Sequence, residues 1–182
     1  PHVVPEVNPE AARERPRGII ANPNCSTIQL VVALAPLHRA ARVRRVVVAT
    51  YQAISGARIE AVRALEAQQR ALDAGEPAEP GPLSGQLAGN LLMHWKRDAA
   101  SGYQEEELKM VHETRKILGD AEIRVSPTAV RVPVVNAHSE AVTVELGRAM
   151  SAAEARAAPS GAPGGRVVDG LPDRGYPPPP PA

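Results

Sequence analysis

Apolar positions along this chain recur with two different periods, and the switches between them mark the elements. Ile28-Gln29-Leu30-Val31-Val32-Ala33-Leu34-Ala35 is almost continuously apolar, follows the good first-turn residues Ser26 and Thr27, and precedes Pro36. The pattern predicts a helix that begins near Cys25 and ends at Pro36, because proline lacks the N–H that a helix interior needs. Val43 to Ala53, with Val46-Val47-Val48, Thr50 and Tyr51, is β-branched and aromatic enough to predict a strand. From Gly56 the spacing turns helical, with Ile59, Val62, Leu65 and Leu72 near one face and Arg and Glu elsewhere. Tyr103 to Leu118 repeats that pattern with Leu108, Val111 and Ile117, and Gly119-Asp120 closes it. Strand candidates follow at 122–125, 129–135 and 141–146.

The stretches without a period are equally telling. Residues 1–17 mix Pro, Glu and Arg and read as an extended lead-in, and Gly18-Ile19-Ile20-Ala21 reads as a buried strand end. Residues 75–86 are rich in Pro, Gly and Glu, which predicts a mobile loop. Beyond Met150 the chain becomes Ala-rich and then Pro-rich, so residues 1–150 read as one domain and 151–182 as an incomplete C-terminal segment. The final polyproline run builds no core.

Composition narrows the picture further. The chain has no Phe, three Tyr and one Trp, so its core must come from Val, Ile, Leu and Ala, which bury less area per residue. Such a thin core predicts a unit that leans on another domain or subunit. Lys plus Arg (21) nearly balances Asp plus Glu (20), which leaves no strong field to draw nucleic acid or an anionic membrane. No apolar run reaches the length of a membrane span, and no apolar signal segment opens the chain, so a cytoplasmic setting is the default expectation. The chain opens on Pro1-His2-Val3 rather than on methionine, as though cut from a longer protein.

Candidate chemistry centres on Cys25, the only cysteine, which excludes an intrachain disulfide and a Cys-x-x-Cys metal clip. A helix start presents the positive end of the macrodipole and unpaired N–H groups, a setting that favours a thiolate; a buried cysteine acting as a small hydrophobe is the plainer alternative. A nucleophilic thiol needs a base, and His138, at a turn between two strand candidates, is the best placed of five histidines. Arg131 lies seven residues earlier. In one straight strand that spacing spans roughly 23 Å and opposite faces, so a shared site requires the chain to turn near Asn136-Ala137 as a hairpin or bulge. Glu106 and Lys109, at i and i+3, share a helix face, where an exposed salt bridge is the default reading. Gln52 ends a β-rich run, where its amide can meet a ligand or cap a loop. None of the histidines has metal-like spacing, so no metal is expected.

Several motifs in order resemble one family. Asn22-Pro23-Asn24-Cys25-Ser26-Thr27, Thr50-Tyr51-Gln52-Ala53-Ile54-Ser55-Gly56-Ala57, Glu106-Glu107-Leu108-Lys109-Met110, Glu113 to Asp120, Val130-Arg131-Val132-Pro133-Val134 and His138 to Val142 look like the catalytic half of aspartate-semialdehyde dehydrogenase. The likeness covers roughly residues 2–150. It implies an α+β fold, a mixed sheet packed against helices, similar to the C-terminal catalytic domain of glyceraldehyde-3-phosphate dehydrogenase-like enzymes.

It also implies that Cys25 attacks L-aspartyl 4-phosphate, expels phosphate and carries the acyl group as a thioester. NADPH would then reduce that thioester to the semialdehyde, a step toward lysine, threonine and methionine. By the same resemblance His138 is the acid/base, Asn24 and Gln52 help hold the acyl group, and helix-start N–H groups stabilise an oxyanion. Arg131 takes the substrate carboxylate, Glu106 its amino group and Lys109 the phosphate, with Ser55 and Gly56 beside the cofactor. A homodimer or tetramer is implied.

The chain departs from the family in places. It has no Gly-x-Gly-x-x-Gly turn after a strand, so the main NADP-binding half is expected to lie outside it and the chain alone to be inactive. Ala137 and Arg58 replace usual glycines, and Leu87 to Lys96 diverges. N-acetyl-glutamyl-phosphate reductase, or a non-catalytic remnant of the same fold, are the competing readings.

Overall fold

The helix that begins at Cys25 does not stop at Pro36. In the computed structural model, which describes residues 1–83 and 85–168, helix α1 runs Cys25–Ala41 with Pro36 inside it. A mid-helix proline costs on the order of 3 kcal/mol. Here Pro36 is itself buried with Leu30, Val31, Leu34 and Ala35, and that apolar face offsets the lost bond. Arg42 ends the helix at φ 48°, and its N–H donates to the His38 carbonyl.

Three strands form one sheet in the order β2-β1-β3, with β1 Val43–Gln52 central, β2 Arg124–Arg131 and β3 Ser139–Leu146. The strands expected at 122–125 and 129–135 are therefore largely one strand. Pro127 lies within it because β2 is a sheet edge, where a missing N–H need not break a ladder. The expected hairpin or bulge near Asn136-Ala137 is replaced by a crossover, since β2 and β3 flank β1 rather than each other. Between them the chain follows the end of β1. Val132 N donates to Gln52 O, Ile54 N to Val134 O and Ser55 N to Val135 O.

Among the described residues the further α-helices are α2 Ile59–Asp73, α3 Glu105–Leu118 and α4 Ala152–Ala157. Ser151 and Glu154 cap α4 reciprocally, a capping box within the Ala-rich segment. The polyproline end lies outside the described residues.

The chain folds as two compact units. The first comprises Pro1–Val47, Leu108–Ser126 and the described residues from Val142 to Val168; the second comprises Val48–Glu107 and Pro127–Ala141. In the first unit Val4, Val31 and Ile117 form a core cluster, so the lead-in is not merely extended. It contains a 3₁₀ turn at Pro9–Arg13, and Asn8 accepts from the Val4 N–H at 2.8 Å. Gly18 to Ala21 is not a buried strand end: Ile19 and Ile20 are exposed, and Ala21 makes only an isolated bridge to His2.

In the second unit Ile54, Ala61, Leu65, Leu87 and Ala88 cluster. The buried stripe of α2 is therefore Ala61, Leu65 and Gln68, while Ile59 and Leu72 are exposed. Buried Gln68 explains the shift. Its amide donates to the carbonyls of Glu79, Pro80 and Gly85 and accepts from the N–H groups of Leu87 and Ala88. One polar side chain thus holds the chain on both sides of the Pro/Gly-rich loop.

Arg58 (φ 76°) and Ala137 (φ 66°) occupy the left-handed half of backbone space, where a β-carbon is strained. These are the two positions at which the family resemblance leads one to expect glycine. R58G and A137G are each expected to stabilise the protein by about 1 kcal/mol. A raised midpoint of chemical denaturation at unchanged slope is the readout, and an unchanged or lowered midpoint would show that neither backbone is strained.

Candidate catalytic site

In the first unit, Cys25 is the first residue of α1 and is exposed, so the reading of a buried small hydrophobe does not apply. Asn24 is the N-cap, its Oδ1 accepting from Ser26 N at 3.0 Å and Thr27 N at 3.4 Å. Its own N–H donates to Glu113 Oε2 at 2.8 Å, which ties the cap to α3. The thiol is thus delivered by a helix start anchored from both sides. The N–H groups of Ser26 and Thr27, expected to face an oxyanion, are engaged by the cap in this structure. Lys109 is exposed on α3, one turn after Glu106.

The second unit gathers most of the other candidates. Gln52 closes β1 and is fully buried, and its Nε2 donates to Glu106 Oε1 at 3.3 Å. Glu106 is itself buried, whereas Lys109 is exposed. With its amide turned to the carboxylate, Gln52 is left with a buried Oε1 that has no hydrogen-bond partner among the described residues. An orphaned acceptor beside a carboxylate is a place for a cationic donor. The neighbouring Glu107 sets this helix end: its carboxylate accepts from Gln104 N at 2.7 Å and from Ala129 N on β2 at 2.9 Å.

Ala53 joins the two remaining groups through its backbone. Its N–H donates to His138 Nδ1 at 3.0 Å, and its carbonyl accepts from Arg131 Nη1 at 2.6 Å. Arg131 is buried on β2, while His138 precedes β3 and is half-buried. Seven residues apart in sequence, they converge on Gly56. A β-carbon there would lie 3.4 Å from His138 Cε1 and 3.6 Å from Arg131 Nη1. Gly56 and Ser55 are exposed at this edge.

Burial, and next the Arg131 charge, push the His138 pKa below its ordinary value, with Glu106 opposing. A neutral His138 that accepts at Nδ1 carries its proton on Nε2. Among the described residues no group of three or more His, Cys, Asp or Glu could hold a metal ion.

Three participants were not marked by sequence. Ala53 acts through its backbone, which no side-chain pattern signals. His94 and Trp95 sit against Arg131: His94 Nε2 accepts from Arg131 Nε at 3.4 Å, and the guanidinium carbon lies 4.9 Å from the Trp95 ring centre. The one tryptophan of an aromatic-poor chain was the available clue.

The family model described as "Semialdehyde dehydrogenase, dimerisation domain" matches residues 34–180, most of the sequence. The chain belongs to that family. Among curated relatives, the aspartate-semialdehyde dehydrogenase of Legionella pneumophila is 49% identical over 97% of this chain and 51% of its own length. That of Aquifex aeolicus is 47% identical over 98% of this chain and 53% of its own length. A solved aspartate semialdehyde dehydrogenase II from Vibrio cholerae, complexed with ASA, superposes with a TM-score of 0.87 at 46% identity. It covers 90% of this chain and 49% of that structure. The chain thus spans about half the length of the curated relatives it matches. Its α+β architecture, a mixed sheet with helices, is the one expected from the resemblance.

Proposed function

We propose that this chain is the catalytic half of an aspartate-semialdehyde dehydrogenase, which forms L-aspartate 4-semialdehyde from L-aspartyl 4-phosphate. The observation that carries the reading is the polar cluster of the second unit, whose charges match a free amino acid. Buried Arg131 offers a planar fork to the α-carboxylate. Glu106 and the orphaned Oε1 of Gln52 accept from the α-ammonium. An N-acetylated substrate has no ammonium for those two acceptors, which disfavours the N-acetyl-glutamyl-phosphate reductase reading.

The Cys25 thiolate attacks the acyl carbon of the mixed anhydride through Sγ, the bond from that carbon to the bridging oxygen breaks, and phosphate departs with the bonding pair, held by Lys109. The acyl group remains on sulfur as a thioester. His138, with its proton on Nε2, donates to the developing charge and so supplies the acid half of acid/base catalysis. Asn24 keeps the helix start in place, and Gln52 fixes Glu106. When NADPH is bound it supplies the hydride that reduces the thioester. The semialdehyde then leaves and Cys25 departs as thiolate.

The residues of this chain that suit a nicotinamide edge are the exposed Ser55 and Gly56 beside His138. With no dinucleotide-binding turn, the chain alone accepts an acyl group and does not reduce it. A homo-oligomer is part of the reading, supported by the family's dimerisation domain and by exposed Val47 and Tyr51 on one face of β1.

The test is acyl transfer to the purified chain. Incubation with L-aspartyl 4-phosphate is expected to add one aspartyl mass per chain and release one phosphate. N-acetyl-glutamyl phosphate is expected to react at least tenfold more slowly, on the scale of lost polar complementarity. Equal rates for the two acyl phosphates would overturn the substrate assignment. No adduct with either would favour the non-catalytic remnant.

A further inference from the structure

We propose that Glu113 is a positioning residue for the nucleophile, aiming the Cys25 thiol through the backbone of Asn24. This rests on the reading of Cys25 given above. Glu113 Oε2 accepts from Asn24 N at 2.8 Å, across 89 residues of sequence. A hydrogen bond to an ionised carboxylate is roughly twice as strong as one between neutral groups. Asn24 is the N-cap, at φ −59° and ψ 140°, and the next residue is Cys25. The direction in which the Cys25 side chain leaves the helix therefore depends on how the cap residue is held.

The cap's own side chain does not settle that direction. Asn24 Oδ1 reaches forward to Ser26 N and Thr27 N, at 3.0 and 3.4 Å, and both bonds lie within the start of α1. They fix the first turn upon itself and not relative to the rest of the unit. Glu113 does the latter, because it belongs to another helix of the same unit.

That helix, α3, is a firm reference for α1. Val31 of α1 and Ile117 of α3 belong to one buried cluster with Val4. Past the far end of α1, Arg42 Nε donates to Asp120 Oδ2 at 3.0 Å, two residues beyond α3. His38 Nε2 lies 3.9 Å from the same oxygen. The two helices are thus tied at the start, the middle and the end of α1, and Glu113 supplies the tie at the thiol end. Ser26, Thr27 and Thr114, the neighbours of this tie in sequence, are fully buried. Their hydroxyl oxygens have no hydrogen-bond partner among the described residues, so these hydroxyls add no further tie across the seam.

Two variants separate charge from geometry. E113Q and E113A both remove the carboxylate charge, but only glutamine keeps a side-chain oxygen that can accept from Asn24 N. A difference between them therefore reports the hydrogen bond and not the field at the helix start.

The first readout on this chain needs no substrate. Deuterium exchange of the Asn24 amide is expected to quicken at least tenfold in E113A and to stay within about threefold of the parent chain in E113Q. Equal exchange in all three chains overturns the proposal, whatever Cys25 does.

The second readout sets acylation of Cys25 by L-aspartyl 4-phosphate beside its alkylation by iodoacetamide. Alkylation needs the thiolate but no set approach, whereas acylation needs the sulfur aimed at the acyl carbon. The limiting acylation rate is expected to fall about tenfold in E113A with apparent affinity unchanged, and to recover most of that loss in E113Q. Alkylation rates followed against pH are expected to coincide in the two variants. Equal acylation in E113Q and E113A, or an alkylation difference as large as the acylation one, overturns the positioning role. If the parent chain is not acylated at all, the reading of Cys25 as the nucleophile fails, while amide exchange still decides the Glu113 contact.

Discussion

Cys25→Ala is expected to abolish acyl transfer from L-aspartyl 4-phosphate to the chain, a loss on the order of 10³-fold or more, with folding intact. Two features make this a clean separation. Cys25 is exposed, so losing its sulfur opens no cavity in the core. The start of α1 is held by Asn24 Oδ1 on Ser26 N and Thr27 N and by Glu113 on Asn24 N, none of which involves the thiol. Cys25→Ser keeps the shape, but a hydroxyl is a much weaker nucleophile at neutral pH than a thiol. It is expected to fail nearly as completely.

Intact-mass measurement of the aspartyl adduct, with phosphate release in parallel, gives the rate, and thermal melting gives the control. With one cysteine in 182 residues, a persistent adduct in Cys25→Ala would place the nucleophile on another residue type and sink the thioester mechanism.

How much of this was legible in the sequence depends on how local the deciding physics is. The start of α1 was readable because capping is settled within four residues, and Asn24 behaves as its type predicts. Gln52 at the end of β1 was readable because the Val-rich run before it is unambiguous. Pro36 misled because local propensity disfavours proline in helices, and buried packing in α1 is not a local property. The same holds of Pro127 inside β2, which the edge position of that strand tolerates.

The meeting of Arg131 with His138 was stated as a condition on the chain turning. The structure meets it by a crossover, which strand order alone decides. His94 and its neighbour Trp95 escaped notice because His94 reaches Arg131 across a separation of 37 residues, beside the Leu92 bridge. Ala53 escaped because its contribution is one N–H and one carbonyl.

Arg131 carries the other large expected effect, and its size follows from burial and shape together. The side chain is 4% exposed, so no water stands in for it once it is removed. Arg131→Lys keeps the charge but replaces a planar fork by a single ammonium. One ammonium cannot satisfy the Ala53 carbonyl and also present two aligned donors to a carboxylate. Acylation of Cys25 by L-aspartyl 4-phosphate is expected to fall about 10²-fold, mostly in apparent affinity, with the rate for acetyl phosphate within a few-fold.

Arg131→Met goes further, because it also leaves the buried Ala53 carbonyl without the Nη1 donor, at about 1–3 kcal/mol of stability. It changes the pH profile as well, and the sign is fixed. Arg131 depresses the His138 pKa by repelling the imidazolium, so removing the cation makes His138 easier to protonate and raises its pKa. Burial, the larger cause, still opposes protonation, so the shift is partial. Any limb of the acylation profile that reports His138 should move to higher pH in Arg131→Met and stay near its original position in Arg131→Lys. A profile that shifts equally in both variants would mean that the Arg131 charge is not what acts on His138.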